Sequence, residues 1–239
     1  MPNRINNPLE KKGAALKPIP IVAANWKMAM KLDEVRTFVR EFEEEMGDLI
    51  GKMQVVLTAP TTAMSTLAKA VKDLPLVDPA AQNSSAHRDP EHSGEISAEL
   101  LAAGLRPFIL VGESETDKGT PADDLVERME KILDGVTAEQ ISRSLMVYEP
   151  EWAIGADEPA APDYIAERAT FMRNWLIDRY GEEAVRPIPI IYGGAVFPEN
   201  AEWLLSTPDI DGLGAGRKSR NGKEFASIAK IVAKAFDLL

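Results

Sequence analysis

The chain has 239 residues, enough for one large α/β domain or two small ones, and 45% of them are hydrophobic against 27% charged. That balance excludes intrinsic disorder, and the apolar runs are too short for a membrane-spanning helix. With 27 basic and 38 acidic residues the net charge is −11, and no basic cluster is long enough to track a phosphate backbone. Nucleic acid and membrane are therefore not expected as partners, and an anionic small substrate would need a local positive pocket.

Residues 1–18 form a polar N-terminal extension, expected to be flexible, with Lys11 and Lys12 but no apolar core of a signal peptide. A cytoplasmic protein is expected. Cysteine is absent, which removes disulfides, thiolate metal sites and a cysteine nucleophile. The only histidines, His87 and His92, lie five residues apart and give no zinc-site spacing, so neither metal nor cofactor is expected.

In chain order, strands are predicted at 19–27, 53–58, 76–81, 108–112, 144–149, 188–193 and 212–216. Helical periodicity fills most intervals. Between the first two strands Leu32, Val35, Phe38, Val39 and Phe42 share one face, with Asp33, Glu34, Arg36, Glu41 and Glu43 turned to water. Further helices are predicted at 61–71, 122–133, 161–180, 198–205 and 222–239, several opening on Asp, Thr or Pro. After the third strand, 95–103 leaves room for only two turns. No linker divides residues 19–239, so a single domain is expected there. Strand and helix alternating at about 32 residues per unit match a (β/α) barrel, with a doubly wound sheet as the alternative.

Catalytic groups of such a barrel stand at the C-terminal ends of its strands. The first strand ends Asn25-Trp26-Lys27, and strand alternation sends Asn25 and Lys27 to one side, where the lysine could supply the missing positive charge. An ordinary solvent lysine is the alternative. The segment 144–149 ends on Glu149, followed by Pro150 and an apolar Trp152-Ala153-Ile154-Gly155 run: a candidate base beside a loop able to exclude water. A salt-bridged rim glutamate is the bland reading. Gly193-Gly194 and Gly214-Ala215-Gly216 end the last two strands, where glycine lets backbone N–H groups approach a phosphate, although tight packing also asks for glycine.

Asn25-Trp26-Lys27-Met28, Ala81-Gln82-Asn83, Gly94-Glu95-Ile96-Ser97, Val111-Gly112-Glu113-Ser114, Tyr148-Glu149-Pro150-Glu151-Trp152-Ala153-Ile154-Gly155, Tyr192-Gly193-Gly194 and Asp209-Ile210-Asp211-Gly212 together resemble the triosephosphate isomerase family, in order, from about residue 19 to the C-terminus. The resemblance implies a TIM-type (β/α) barrel of α/β class and a cofactor-free homodimer acting on small phosphorylated sugars. Glu149 would be the base of an aldose–ketose isomerisation, with Lys27 and Asn25 binding substrate and stabilising the enediolate. It also implies that Gly155, Gly194 and Gly216 meet the phosphate and that 150–159 form a closing lid.

This chain departs from the family pattern in several places. The fourth-strand Gly-His-Ser-Glu string is absent, which implies seven βα units with the fourth missing and leaves a water or Glu113 to polarise the carbonyl. His87 and His92 fall in the segment 84–93, which resembles the family's dimer-interface loop. Ala195 replaces a serine, Arg217 replaces a phosphate-loop glycine and becomes a candidate phosphate anchor, and Ala156-Asp157-Glu158 replaces the Thr-Gly-Lys lid tip. Gly216-Arg217 is similar to related isomerases of tetrulose phosphates such as L-erythrulose 1-phosphate. A barrel that only binds phosphate or partners, and one completed by a strand from a partner, are the remaining expectations.

Overall fold

The computed structural model describes residues 19–83, 106–118 and 123–239. The predicted extension 1–18, the segment 84–93 with both histidines and the short helix at 95–103 lie outside the described residues. Among the described residues there are seven strands: β1 (Ile21–Asn25), β2 (Gln54–Ala59), β3 (Val77–Ala81), β4 (Phe108–Val111), β5 (Leu145–Tyr148), β6 (Ile190–Tyr192) and β7 (Gly212–Ala215). Each falls within two residues, at either end, of the predicted segment it came from, and most are trimmed at their ends.

All strand pairs are parallel, in the order β3-β2-β1-β7-β6-β5-β4. This is a barrel order cut at one seam, between β3 and β4. A doubly wound sheet would carry helices on both faces. Here the two faces differ: one packs Ile21, Ala23, Val56, Leu145, Val147 and Ile191 together, with Ala80 and Phe108 at its margin, all from strands. Residues of β1 and β2 can meet those of β5 only if the sheet curls, so this cluster is the interior of a curled, seven-stranded TIM-type barrel.

The alternate residues, among them Val22, Leu57, Met146, Tyr148, Tyr192 and Leu213, face an outer layer of helices. That layer comprises α1 (Leu32–Met46), α2 (Thr61–Val71), α3 (Asp123–Ile132), α4 (Ala138–Ile141), α5 (Pro162–Tyr180), α6 (Glu182–Val185), α7 (Pro198–Leu205) and α8 (Gly222–Ala235). Val35, Phe38, Val39 and Phe42 of α1 are buried as their spacing requires, whereas Leu32, on the first turn, remains 46% exposed. Phe38 and Phe42 meet Phe225 of α8, and Asn221 caps α8 by accepting hydrogen bonds from the Lys223 and Glu224 N–H groups. Among the described residues no helix is long and apolar enough to cross a membrane.

A relay of polar side chains spans the seam at its N-terminal rim. Arg106, just before β4, donates to the Gln54 side chain of β2 and to the carbonyls of Arg143 (3.0 Å) and Ser144 (3.3 Å), while Gln54 donates to Asp78 of β3 (3.0 Å). Pro79, inside β3, offers no N–H to a stray strand, which suits an edge.

Candidate functional site

Strand parity decides which side chains can enter the barrel mouth. On β5, Leu145 and Val147 point inward, so Glu149 follows them at the C-terminal rim; on β1, Ile21 and Ala23 are followed by Asn25. Gly193 flanks Glu149 closely: a Cβ at 193 would come within 2.8 Å of a Val147 methyl and 3.3 Å of the Glu149 Cβ. Gly112 is tighter still, since its Cβ would sit 2.1 Å from the Glu149 carbonyl oxygen. The base candidate is thus wedged between two glycines, and for these the packing reading of strand-end glycine holds.

Lys27 does not reach its place by strand alternation, as the sequence suggested. β1 ends at Asn25, and Lys27 turns away at φ 51°, a left-handed conformation that side chains with a Cβ adopt at a cost. Gln82, beyond β3, donates to the Lys27 carbonyl at 2.8 Å, and the Lys27 N–H donates to Asn25 Oδ1 at 3.0 Å. Trp26 between them is fully buried, its indole N–H donating to the Ser219 carbonyl at 2.6 Å. The tip of β1 is therefore pinned from both sides. The sequence signals Gln82 only as an amide side chain at a strand tip.

Burial raises the Glu149 pKa above the ordinary carboxylate value, and the Lys27 ammonium pulls it back down. The Lys27 charge thus acts on the Glu149 carboxylate, and Asn25 adjoins Lys27 at the tip of β1. Beyond Glu149 a cleft of about 410 Å³ opens, lined by Leu110, Gly112, Arg128, Ile132, Glu151 and Ile154.

Glu113 does not join this group. Phe108 of β4 faces inward and Val111 outward, so Glu113 falls on the outer side, 3% exposed. Its carboxylate accepts hydrogen bonds from Tyr148 Oη at 2.8 Å and from Tyr164 Oη at 2.6 Å. Burial and the neighbouring Glu113 charge hold the Tyr148 hydroxyl far above its ordinary pKa, so it remains a donor. Glu113 is accordingly tied into the outer layer and turned away from the barrel mouth; its own carbonyl accepts the Glu151 N–H at 2.9 Å. Among the described residues no group of three or more carboxylate or imidazole side chains is gathered in a way that could hold a metal ion.

The segment 150–159 lies across the rim. It begins at buried Pro150 and the 3-10 turn Glu151–Ala153, and the Ala160 N–H just beyond it donates to Tyr192 Oη at 2.9 Å. Gly194 lies beneath it: a Cβ there would stand 2.7 Å from both the Ala153 Cβ and the Tyr192 hydroxyl. Gly155 has φ 74°, and nothing lies within 4 Å of where its Cβ would be. Gly216 faces equally open space. Arg217 opens the 3-10 turn Arg217–Arg220 after β7 and turns toward the segment 150–159, donating to the Ala156 carbonyl.

The family model described as triosephosphate isomerase matches residues 20–116 and 98–232. The two stretches overlap over 98–116, as expected where one stretch of chain answers to two successive units of the family pattern. Among curated proteins, the triosephosphate isomerase of Carboxydothermus hydrogenoformans is 31% identical, over 88% of this chain and 98% of its own length. That of Chloroflexus aurantiacus is 30% identical over the same shares, and that of Lactobacillus helveticus 30% identical over 81% of this chain and 90% of its own.

Proposed function

Since the chain belongs to the triosephosphate isomerase family, a family of intramolecular aldose–ketose isomerases, we propose that it interconverts dihydroxyacetone phosphate and glyceraldehyde 3-phosphate with Glu149 as the base. The Glu149 carboxylate removes a proton from the carbon next to the substrate carbonyl, and the electron pair moves onto the carbonyl oxygen. The resulting enediolate oxygen faces the Lys27 ammonium and the Asn25 amide. The hydroxyl proton then passes from the oxygen of the first carbon to the enediolate oxygen of the second, and the same carboxyl group returns its proton to that second carbon, which completes the isomerisation without a cofactor. Backbone N–H groups about Gly155, Gly194 and Gly216, with Arg217, hold the phosphate, and the segment 150–159 covers the site so that water does not intercept the enediolate.

The observation that carries this reading is the inward parity of the half-buried Glu149 at the end of β5, set between Gly112 and Gly193, with the Lys27 charge acting on its carboxylate. With no histidine of the fourth unit to donate to the carbonyl oxygen, the rate is expected to fall roughly 10²–10³-fold below that of a site with a preorganised donor. A coupled assay with dihydroxyacetone phosphate on the wild type and on Glu149→Gln tests the proposal. Turnover lost in the variant is expected; equal background rates for the two proteins would refute it and leave a barrel that only binds phosphate or partners.

A tetrulose phosphate is the second reading, favoured by the cleft beside Glu149, whose Leu110, Ile132 and Ile154 walls offer apolar room for one more carbon. L-Erythrulose 1-phosphate in the same assay compares the two substrates. We further propose a cytoplasmic homodimer serving sugar-phosphate metabolism, supported by β3 and β4 standing as the edges of the sheet among the described residues. Sedimentation as a monomer at micromolar concentration would contradict the dimer.

A further inference from the structure

We infer that Arg217 is a positioning residue for the lid, fastening the tip of the segment 150–159 over the mouth by carrying the Ala156 carbonyl. The inference rests on reading that segment as the lid of a phosphosugar isomerase. Its physical basis is that Arg217 joins three separate rim loops. The arginine opens the turn after β7. Its guanidinium lies over the Phe197 ring, 5.3 Å from the centroid, on the loop after β6. From there one nitrogen donates to the Ala156 carbonyl, and another lies 3.5 Å from Asp157 Oδ1, both on the loop after β5.

The foundation of this side chain is rigid. Ser219, fully buried two residues on, donates to the Gly216 carbonyl through its N–H (3.1 Å) and its hydroxyl (2.7 Å), and its own carbonyl receives the Trp26 indole. A guanidinium is planar, and stacking on Phe197 orients its fork of donors; a lysine ammonium at this position would be a point charge without that orientation.

The two lid contacts are unequal. Asp157 is 98% exposed, so its ion pair with Arg217 is screened and contributes little. The bond to the Ala156 carbonyl is charge-assisted and closes on backbone, so it constrains the path of the chain itself. Together with the Tyr192 contact to the Ala160 N–H, it holds the lid at two points four residues apart. Both contacts are made by protein groups, and Arg217 is held by Phe197 with its donors toward the tip of the segment.

Amide hydrogen exchange on the free protein tests this separately from activity. In Arg217→Gln the Ala160 amide is expected to exchange about tenfold faster, the factor associated with losing one charge-assisted hydrogen bond, while α5 and α8 amides keep wild-type rates. Arg217→Lys, which keeps the charge, is expected to fall between the two and serves if the glutamine variant does not fold. Unchanged Ala160 exchange in the variants overturns the inference and leaves Arg217 as a phosphate contact only. Faster exchange in a protein without isomerase activity upholds the latch and instead defeats the proposed reaction. In an active enzyme, kcat/KM for the phosphorylated substrate should also fall about tenfold in Arg217→Gln.

Discussion

Gln82, Lys27 and Glu149 show how much of the site depends on single side chains. The left-handed conformation of Lys27 is sustained by the Gln82 amide on its carbonyl and by Asn25 on its N–H. Gln82→Leu removes one of those supports from an exposed position, so little stability should be lost while the ammonium wanders. We expect kcat/KM to drop roughly tenfold or more, since misplacement by about 1 Å costs that order of rate, with thermal denaturation little changed. For Glu149 the sign of the pH effect follows from burial. Its folded pKa is raised, so the neutral form favours folding: that contribution is complete below the ordinary value of 4.5 and is lost as pH rises through the folded pKa. Glu149→Gln should therefore be more thermostable than wild type at about pH 8, and the difference should vanish near about pH 4. Activity runs the other way. It needs the carboxylate, so the acid limb of the rate profile should lie above the ordinary carboxylate range.

At the scale of elements, the segment 150–159 places a second demand on a glycine proposed to meet the phosphate. The missing Cβ of Gly194 is also what allows Ala153 and the Tyr192 hydroxyl to approach. Gly194→Ala should hold the lid off the rim and cut kcat/KM about 10- to 100-fold, with a near-normal circular dichroism spectrum as the check that the barrel persists. Tyr192→Phe deprives the Ala160 N–H of its acceptor, leaving a buried donor unpaired at a cost of about 1–3 kcal/mol to the closed lid. Its expected signature is faster Ala160 exchange with unaltered exchange in α8. In the outer layer, Glu113 with Tyr148 and Tyr164 forms a buried anchor, and its outward parity on β4 keeps that carboxylate away from substrate.

For the whole molecule, the unusual feature is a barrel order that stops at a seam. Interior packing of β1 and β2 against β5 keeps the sheet curled, and the Arg106–Gln54–Asp78 relay ties the two margins at the N-terminal rim, opposite the chemistry. Arg106→Met retains the aliphatic stem but loses three donor contacts. It should lower the melting temperature by several degrees, at roughly 2–4 °C per kcal/mol for a chain of this size. Loss of the relay should also increase association through β3 and β4, visible as added mass in light scattering.

The sequence by itself determined the seven strands, the amphipathic helices and the positions of Asn25, Glu149 and the rim glycines, because hydrophobic period and strand-end chemistry are local properties of the chain. Its family strings pointed to a TIM-type barrel, which the curled parallel sheet bears out. Only the tertiary structure decided how Lys27 leaves β1, which face Glu113 takes, that Gly194 packs against Ala153 and the Tyr192 hydroxyl, and that Arg217 reaches the Ala156 carbonyl. Those outcomes depend on contacts between residues up to about sixty positions apart, such as Gln82 with Lys27 and Arg217 with Ala156. No periodicity along a chain encodes which distant group completes a hydrogen bond; the curl of the sheet does.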